Sequence, residues 1–228
     1  AVLILSNSGR RSESNVARLA ALGFGADCLS DVLTSGESGW RHLHASLTGR
    51  TRQRCLLISR DADRSALEGL NLELTESGTD ADIVLIVGSE GGSRTLDYYR
   101  DLLRPAAERG LPCICTNPDH TMLTPSGKHF GAGRIARVYE ELGGRVTWFG
   151  KPFLPIYTTA LAVLGLPAFR VLCVGDSVEH DIVGGAGAGM ATLLVETGIL
   201  DELSDDDRAA LYRDAGIRPD FLLKSFAW

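Results

Sequence analysis

The sequence lacks the features of several protein classes. Its five cysteines are an odd number, and none forms the Cys-x-x-Cys pair typical of zinc and thioredoxin-like redox sites. No apolar run approaches the roughly 20 residues that cross a bilayer, and no cationic segment followed by an apolar stretch marks a signal peptide. The formal charge of -6, without a cluster of Lys and Arg, argues against a nucleic-acid surface. We therefore expect a soluble, cytoplasmic protein with reduced thiols that binds neither membranes nor nucleic acids.

The chain also lacks an initiator methionine, and it opens inside the apolar run from Ala1 to Leu5. A domain rarely begins in the middle of a strand, and a strand without its neighbour leaves an apolar edge exposed. We therefore expect that a segment upstream of Ala1 belongs to the protein.

What is present indicates an α/β protein. The 228 residues are 44% hydrophobic, enough for one large domain or two modest ones. Short apolar runs alternate with helical patterns, the order of strand-helix-strand units around a mostly parallel sheet. Cys113 and Cys115 alternate in one such run and are expected to fill apolar space. Strands are predicted at Val2 to Leu5, Arg54 to Ser59, Ile83 to Val87, Pro112 to Thr116, Val146 to Phe149, Val171 to Val174 and Ala191 to Val195. Helices are predicted at Ser12 to Leu22, Leu96 to Arg109, Gly133 to Leu142, Pro155 to Leu164, and from Ser204 to Asp207 onward through Leu211.

Two segments are expected to separate domains. The segment from Thr48 to Gln53 is polar and basic, lacks periodicity and precedes a new strand. A second junction is expected near Trp148 to Pro152. The chain is therefore predicted to have three parts, residues 1–50, 51–148 and 149–228.

The strongest local pattern is VLCVGDSVEHD, in which a strand ends at Gly175 and immediately presents Asp176, with Asp181 further along. Ligands of α/β sheets bind at the carboxyl ends of the strands. Two carboxylates at this spacing can hold Mg²⁺, one directly and one through water or an orienting hydrogen bond. The alternative is an ordinary strand-to-helix turn with Asp176 or Ser177 as the helix cap.

Two further patterns place polar groups after predicted strands. In LILSNSGRR, the hydroxyls of Ser6 and Ser8 and the amides around Asn7 suit an anionic oxygen, although the same residues fit a plain loop with Ser12 as N-cap. In WFGKP, Gly150 permits a tight approach and Lys151 can pair with phosphate and with a carboxylate. Pro152 is expected to start the next helix, and the alternative is a surface turn.

The order of these patterns resembles the haloacid dehalogenase superfamily. Ser6 matches its second motif, Lys151 its third, and Gly175, Asp176 and Asp181 its fourth. The intervening segment resembles the α/β cap of the branch with p-nitrophenyl phosphatases, pyridoxal phosphatases and a sugar phosphatase group. That likeness rests on TSGES at Thr34 to Ser38, the strand at Asp82 to Gly88, CICTNPD at Cys113 to Asp119, the helix start at Gly131 to Arg137, the GKP turn, and ETGI at Glu196 to Ile199.

The resemblance implies a Rossmann-like core in residues 1–50 and 149–228 with an α/β cap in residues 51–148. It also implies a Mg²⁺-dependent phosphatase of a small phosphorylated metabolite that acts through an aspartyl-phosphate. Caps of this type often pair, so a homodimer through the cap is allowed. The implied catalytic residues are Ser6, Lys151 and Asp176. The implied phosphate or substrate ligands are Ser6, Asn7, Ser8, Lys151, Asn117 and Asp119, and the metal residues are Asp176 as ligand and Asp181, which orients the metal shell.

The chain departs from the family in its first motif, a strand ending in Asp-x-Asp that should precede Ala1. Asp61 and Asp63 have this spelling but follow Ser6 in order, so a turn or helix cap is expected there. Without the nucleophile the chain should be nearly inert. The alternatives are a non-catalytic phosphate-binding relative and a nucleotide-binding protein, the latter suggested by GGAGAG at Gly184 to Gly189 and GSEGG at Gly88 to Gly92. Neither glycine segment has the expected spacing, and the first is better explained as a tightly packed helix.

Overall fold

A computed structural model describes residues 1–25, 27–197, 200 and 203–225, and the chain divides into two compact units, 1–150 and 151–228. None of the helices in the described residues combines the length and the apolar content that a bilayer span requires. The α/β class with parallel sheets is confirmed. The division into a core and a cap stays a prediction. Of the ETGI segment, Gly198 and Ile199 lie outside the described residues.

The first unit contains nine strands and four helices among its described residues. The strands are β1 (Leu3–Ser6), β2 (Asp31–Thr34), β3 (Gln53–Ile58), β4 (Leu72–Thr75), β5 (Ile83–Ile86), β6 (Pro112–Cys115), β7 (Thr121–Thr124), β8 (Gly127–Phe130) and β9 (Arg145–Trp148). The helices are α1 (Ser12–Ala21), α2 (Ser35–Leu47), α3 (Leu96–Glu108) and α4 (Ala132–Glu141).

The second unit alternates helices and strands, beginning with α5 (Leu154–Leu164) and β10 (Leu172–Gly175). A π-helical segment (Val178–Val183) then leads into α6 (Gly184–Gly187). The remaining elements are β11 (Ala191–Val195), α7 (Asp205–Ala215) and β12 (Phe221–Leu223).

The largest sheet of the first unit is parallel and has the strand order β4-β3-β5-β6-β9. All four residues of β5 are buried, because β5 has neighbours on both sides and its sequence IVLI is apolar throughout. Leu43 and Leu47 of α2 pack in the same core cluster as Cys55, Leu85 and Ile114 of the sheet. Cys113 and Cys115 are buried, as predicted. The central strands thus form a rigid base whose carboxyl ends can carry polar loops.

Two smaller parallel sheets have an open edge among the described residues. β1 pairs with β2 alone, and its four residues are only half-buried although three are apolar. In the second unit the strand order is β10-β11-β12, so β10 has a neighbour on one side. Its Leu172 and Val174 are 44% and 40% exposed. Apolar strand residues with this exposure are unusual and mark surfaces that a further element can cover.

The predicted strands are all present with small shifts at their ends, and α1 begins at Ser12 as predicted, but the N-cap expected at Ser12 and the helix start expected at Pro152 are wrong. Ser12 is not an N-cap: α1 begins at Ser12 itself, and the Ser12 hydroxyl instead accepts the Thr34 N–H at 3.4 Å. Pro152 does not start the next helix, since α5 begins at Leu154 with Pro155 in its first turn, where the missing N–H costs nothing. Thr34 caps α2 by accepting the Glu37 N–H at 2.9 Å, so the predicted helix start at TSGES is confirmed.

A nearly buried carboxylate, Glu37, joins α2 to the residues that follow β1. Its oxygens accept from Nε of Arg11 at 2.5 Å and from Nε of Arg41 at 3.0 Å, and the Arg11 guanidinium also lies 3.8 Å from the centre of the Trp40 ring. Burial of Glu37 opposes ionisation, but the hydrogen bonds and charges of the two arginines outweigh it and lower the pKa below the usual 4.5. Glu37 is therefore ionised throughout the neutral range.

Replacing Glu37 with glutamine is expected to lower the free energy of unfolding by about 2 kcal/mol at pH 7. Because the folded pKa lies below the unfolded one, the stabilisation is complete above pH 4.5 and disappears as the pH falls through the folded pKa. Urea unfolding at pH 7 and at acid pH measures it, with the exposed Glu108→Gln as control. A difference between wild type and Glu37→Gln that does not shrink in acid would contradict the assignment.

Candidate active site

The loop after β1 presents hydroxyls and amides at the carboxyl end of a strand. The Ser8 N–H donates to Oγ of Ser6 at 3.2 Å, and the Arg10 N–H donates to Oγ of Ser8 at 3.3 Å. Both hydroxyls act as acceptors in these contacts, so each keeps its own proton to donate. The loop is tied to α2, because the Ser8 carbonyl accepts from the Gly36 N–H and from the Ser35 hydroxyl, both at 3.0 Å. It is therefore a fixed turn with hydroxyl donors.

The loop after β6 meets the loop after β1 within the same unit. Nδ2 of Asn7 donates to Oδ1 of Asp119 at 2.9 Å, and the Asp119 N–H donates to Oδ1 of Asn117 at 3.1 Å. Asn7 is thus joined by two successive hydrogen bonds to Asp119 and, through it, to Asn117, which are both more than 100 positions away from it in sequence. The structure brings together all the predicted ligands of the first unit.

Gly150 lets the backbone after β9 pack closely against two neighbouring loops of the first unit. Its φ of +102° lies in the left-handed region, where a side chain is strained. A Cβ there would lie 2.7 Å from Cδ of Pro118 and 2.9 Å from Oδ1 of Asn7. The tight approach predicted for Gly150 is confirmed, and the two loops that it contacts are those that carry Asn7 and Asp119.

The second unit brings Lys151 and Asp181 together. Nζ of Lys151 lies 2.7 Å from Oδ1 of Asp181, whose side chain is only 5% exposed. Oδ2 of Asp181 accepts the Ser177 N–H at 3.1 Å, so both carboxylate oxygens have protein partners. Gly175 is required beside them, because a Cβ at that position would overlap the Asp181 carboxylate. Asp181 therefore fixes the Lys151 ammonium and the turn after β10.

Asp176 differs from Asp181 in its surroundings. It is exposed at the carboxyl end of β10, and within the described part of the chain no hydrogen bond or ion pair engages its carboxylate. The helix cap is Ser177, whose Oγ accepts the His180 N–H at 3.1 Å. The capping alternative is thus correct for Ser177 and wrong for Asp176. This leaves the Asp176 carboxylate available to a ligand.

The buried cysteines have no nucleophilic character. Burial raises the pKa of Cys55 and Cys115 to about 12, and it raises the pKa of Cys173, which lies near Asp181, to about 11. A thiol with such a pKa stays protonated at neutral pH and cannot attack phosphorus or bind a metal as thiolate. These three side chains act as packing residues.

A cavity of about 480 Å³ lies in the first unit, next to the loop after β1. Ser8, Asn117 and Asp119 line it, as predicted for substrate-binding residues, although their roles stay predictions. Arg10, Arg60 and Asp63 also line it, and sequence reasoning missed them. Asp63 does lie in a turn, as predicted, where its Oδ1 accepts the Ser65 N–H at 2.9 Å. The Asp-x-Asp spelling drew attention to this loop, but its position after Ser6 led to an expected turn or helix cap and not to a role in a ligand site.

The two glycine-rich segments have different positions. Gly184 and Gly185 are buried in α6, where a Cβ would overlap the ring of Tyr157 or come within 2.7 Å of Cβ of Cys173. The interpretation of GGAGAG as a tightly packed helix is confirmed. Gly88 and Ser89 of the GSEGG segment follow β5 and line the cavity.

Comparisons with known proteins concern the fold and the sequence of the chain. The structure of a haloacid dehalogenase-like hydrolase from Brucella suis 1330 matches with a TM-score of 0.80 at 28% identity, over 100% of this chain and 83% of that one. The parallel α/β sheets of this chain thus share the fold of that hydrolase. A family model described as HAD-hydrolase-like matches residues 148–228. The chain is thus similar to haloacid dehalogenase-like hydrolases, in sequence over residues 148–228 and in fold over its whole length.

Two curated relatives are phosphatases by name. The 5′-nucleotidase YutF of Bacillus subtilis is 34% identical over 154 residues, which are 66% of this chain and 58% of that protein. The acid sugar phosphatase of Staphylococcus aureus is 34% identical over 139 residues, which are 58% of this chain and 52% of that protein. The chain spans about half the length of the curated relatives it matches.

Proposed function

We propose that the protein is a Mg²⁺-dependent phosphatase that hydrolyses a monoester of a small phosphorylated metabolite. The observation that carries this proposal is the pairing of Lys151 with Asp181 beside a turn that leaves Asp176 unengaged. An oriented ammonium and an accessible carboxylate at a strand end are the groups that phosphoryl transfer requires for charge neutralisation and metal binding. The names of the two relatives, a 5′-nucleotidase and a sugar phosphatase, support monoester chemistry.

The residues present fit a magnesium ion in part. Mg²⁺ is usually held by one or two carboxylates together with substrate phosphate oxygens and water, and Asp176 offers such a carboxylate. The described residues contain no group of three His, Cys, Asp or Glu that could hold a metal, so this proposal takes the remaining ligands from substrate, water and the nucleophile. The bound ion would supply positive charge to the phosphoryl oxygens. Asp181, with both oxygens engaged, acts as a positioning residue.

The nucleophile in this proposal is an aspartate on a strand other than those described. Asp63 is unsuited, because its oxygens accept from Ser65 and from Arg10. The half-exposed apolar residues of β1 and β10 support the existence of a further strand. An aspartate oxygen would bond to phosphorus as the ester P–O bond breaks, which gives an aspartyl-phosphate. A second acid would protonate the leaving alcohol and then accept a proton from the hydrolytic water.

This chain's own residues would bind and orient the phosphoryl group. From the order of the family motifs along the chain, we propose that Ser6, Asn7 and Ser8 donate hydrogen bonds to its oxygens and that Lys151 neutralises its charge. Asn7 would be held in place by Asp119. The loop of Asn117 and Asp119 would contact the leaving alcohol, because both residues line the cavity with Ser8.

Restoring the nucleophile tests the proposal. The 228-residue chain is expected to hydrolyse p-nitrophenyl phosphate at a barely measurable rate, and fusion of a strand carrying Asp-x-Asp ahead of residue 1 should raise the rate by at least roughly 10³-fold in Mg²⁺. The matched control is the same fusion with the first aspartate changed to asparagine, and EDTA should abolish the gain. A fusion that binds vanadate but shows no turnover would instead identify a non-catalytic phosphate-binding relative.

A further inference from the structure

The cavity of the first unit is formed by the carboxyl ends of three strands that are neighbours in the large sheet. β3, β5 and β6 lie side by side in that order, and the loop after each of them contributes lining residues. Ser8 brings the loop after β1 to the same space. A ligand bound here would touch the proposed phosphate loop at one end and the loops after β3 and β5 at the other. The volume of about 480 Å³ is that of a site for a small molecule.

The lining has a distinct chemistry. None of the described residues that line the cavity is aromatic, whereas two arginines, two aspartates and an asparagine are present with several hydroxyls. A flat leaving group such as a nucleobase or a pyridine ring is usually held by stacking on an aromatic side chain. Hydroxyl groups of a ligand are instead held by carboxylates that accept and by guanidinium and amide groups that donate. The lining therefore matches a polyhydroxylated ligand.

Arg60 and Asp63 project from the loop after β3 with a constrained backbone between them. Asp61 and Ala62 have φ of 55° and 52°, a conformation that non-glycine residues rarely adopt, and two such residues in succession reverse the chain. The residues on either side of this reversal both line the cavity. Strain of this kind persists where the surrounding structure determines it, and it is frequent at ligand sites.

Asp63 and Arg60 differ in how many of their hydrogen-bonding groups already have partners in the protein. Asp63 accepts from Ser65 and pairs with Nε of Arg10 at 3.2 Å. Although partial burial opposes it, these bonds and the Arg10 charge lower the pKa of Asp63, which is ionised at neutral pH. Nε of Arg60 faces Asp61 at 3.5 Å and its Nη1 faces the Met122 sulfur, a weak acceptor. Arg60 therefore retains strong donors for a ligand.

We infer that Arg60 and Asp63 determine substrate specificity by binding hydroxyl groups of a small sugar or polyol that is esterified to the phosphate. This inference rests on the proposed phosphatase function. Arg60 donates to ligand oxygens, and Asp63, held by Arg10, accepts from a ligand hydroxyl. Nucleotides and pyridine phosphates are poorer substrates, because the described lining offers their rings no stacking partner.

Kinetics of the protein with its nucleophile strand test the inference. Wild type is expected to show a higher kcat/KM for glucose 6-phosphate or glycerol phosphate than for AMP. Arg60→Met and Asp63→Asn should each lower the ratio of the two kcat/KM values at least tenfold, mainly through KM. The matched control is Arg64→Met, an exposed arginine of the same loop that does not line the cavity. A preference for AMP, or equal losses on both substrates, would overturn the inference.

A binding measurement separates failure of this inference from failure of the proposed function. Calorimetric titration of the 228-residue chain with glucose 6-phosphate and with AMP requires no turnover. Tighter binding of glucose 6-phosphate, weakened at least tenfold by Arg60→Met, would support the inference even if no variant hydrolyses a phosphate ester. Tighter binding of AMP, or no binding of either compound, would refute it even if p-nitrophenyl phosphate is hydrolysed.

Discussion

Replacing Lys151 with methionine is expected to lower kcat/KM for p-nitrophenyl phosphate by roughly 10³-fold in a fusion that supplies the proposed nucleophile strand. The ammonium is held 2.7 Å from Asp181, whose other oxygen is fixed by the Ser177 N–H, so its position is defined before substrate binds. Methionine preserves most of the length of the side chain but removes the charge that stabilises the phosphoryl oxygens in the transition state. Steady-state hydrolysis at saturating Mg²⁺ measures the effect.

The same substitution also affects stability, and the two effects can be separated. Without Lys151 the nearly buried Asp181 carboxylate loses its cation, which should cost about 3 kcal/mol of unfolding free energy. The double variant Lys151→Met with Asp181→Asn removes the uncompensated charge and should recover most of this stability while remaining inactive. Lys224→Met, at an exposed lysine of the same unit, serves as control. A folded Lys151→Met protein with activity within tenfold of wild type would exclude the assigned role.

Sequence reasoning found most readily the strands that are continuous apolar runs. β5 and β6 are predicted correctly because each is flanked by other strands in a parallel sheet, so all residues of β5 and the last three of β6 are buried. β4 and β12 were missed. Each lies at the edge of its sheet, and exposed positions interrupt their apolar patterns. β2 was missed although it is largely buried, since it has only four residues and begins with a solvent-exposed aspartate.

The residues of the candidate site could be predicted only where the order of motifs along the chain identifies them. Lys151 and Asp181 were identified from strand ends and from the family resemblance, and the structure joins them in an ion pair, while the role of Asp181 in orienting the metal shell stays a prediction. Arg60 and Asp63 could not be found in this way. Their loop reaches the cavity because β3 pairs with β5, which places the loop after β3 beside the loops after β5 and β6. Strand order in a sheet is set by tertiary packing, and a single sequence does not state it.

Exchanging Asp176 for asparagine is expected to abolish Mg²⁺-dependent turnover, with a loss of at least roughly 10³-fold in kcat, while stability stays within about 0.5 kcal/mol of wild type. The reason is the contrast with Asp181: Asp176 is exposed and no described residue engages its carboxylate, so the fold loses nothing when its charge is removed. Hydrolysis of p-nitrophenyl phosphate over a Mg²⁺ titration, with thermal unfolding of the same samples, measures both quantities.

A comparison with Asp181→Asn distinguishes metal ligation from positioning. Asp181→Asn should lower both activity and stability, because it breaks the pairing with Lys151 and weakens the turn after β10. Asp176→Asn should lower activity alone, and it should also raise the Mg²⁺ concentration needed for any residual turnover. Asp214→Asn, at an exposed aspartate of α7, should change neither quantity. If Asp176→Asn retains the wild-type dependence on Mg²⁺, then Asp176 does not bind the ion, and the metal site of the proposed mechanism must be sought elsewhere.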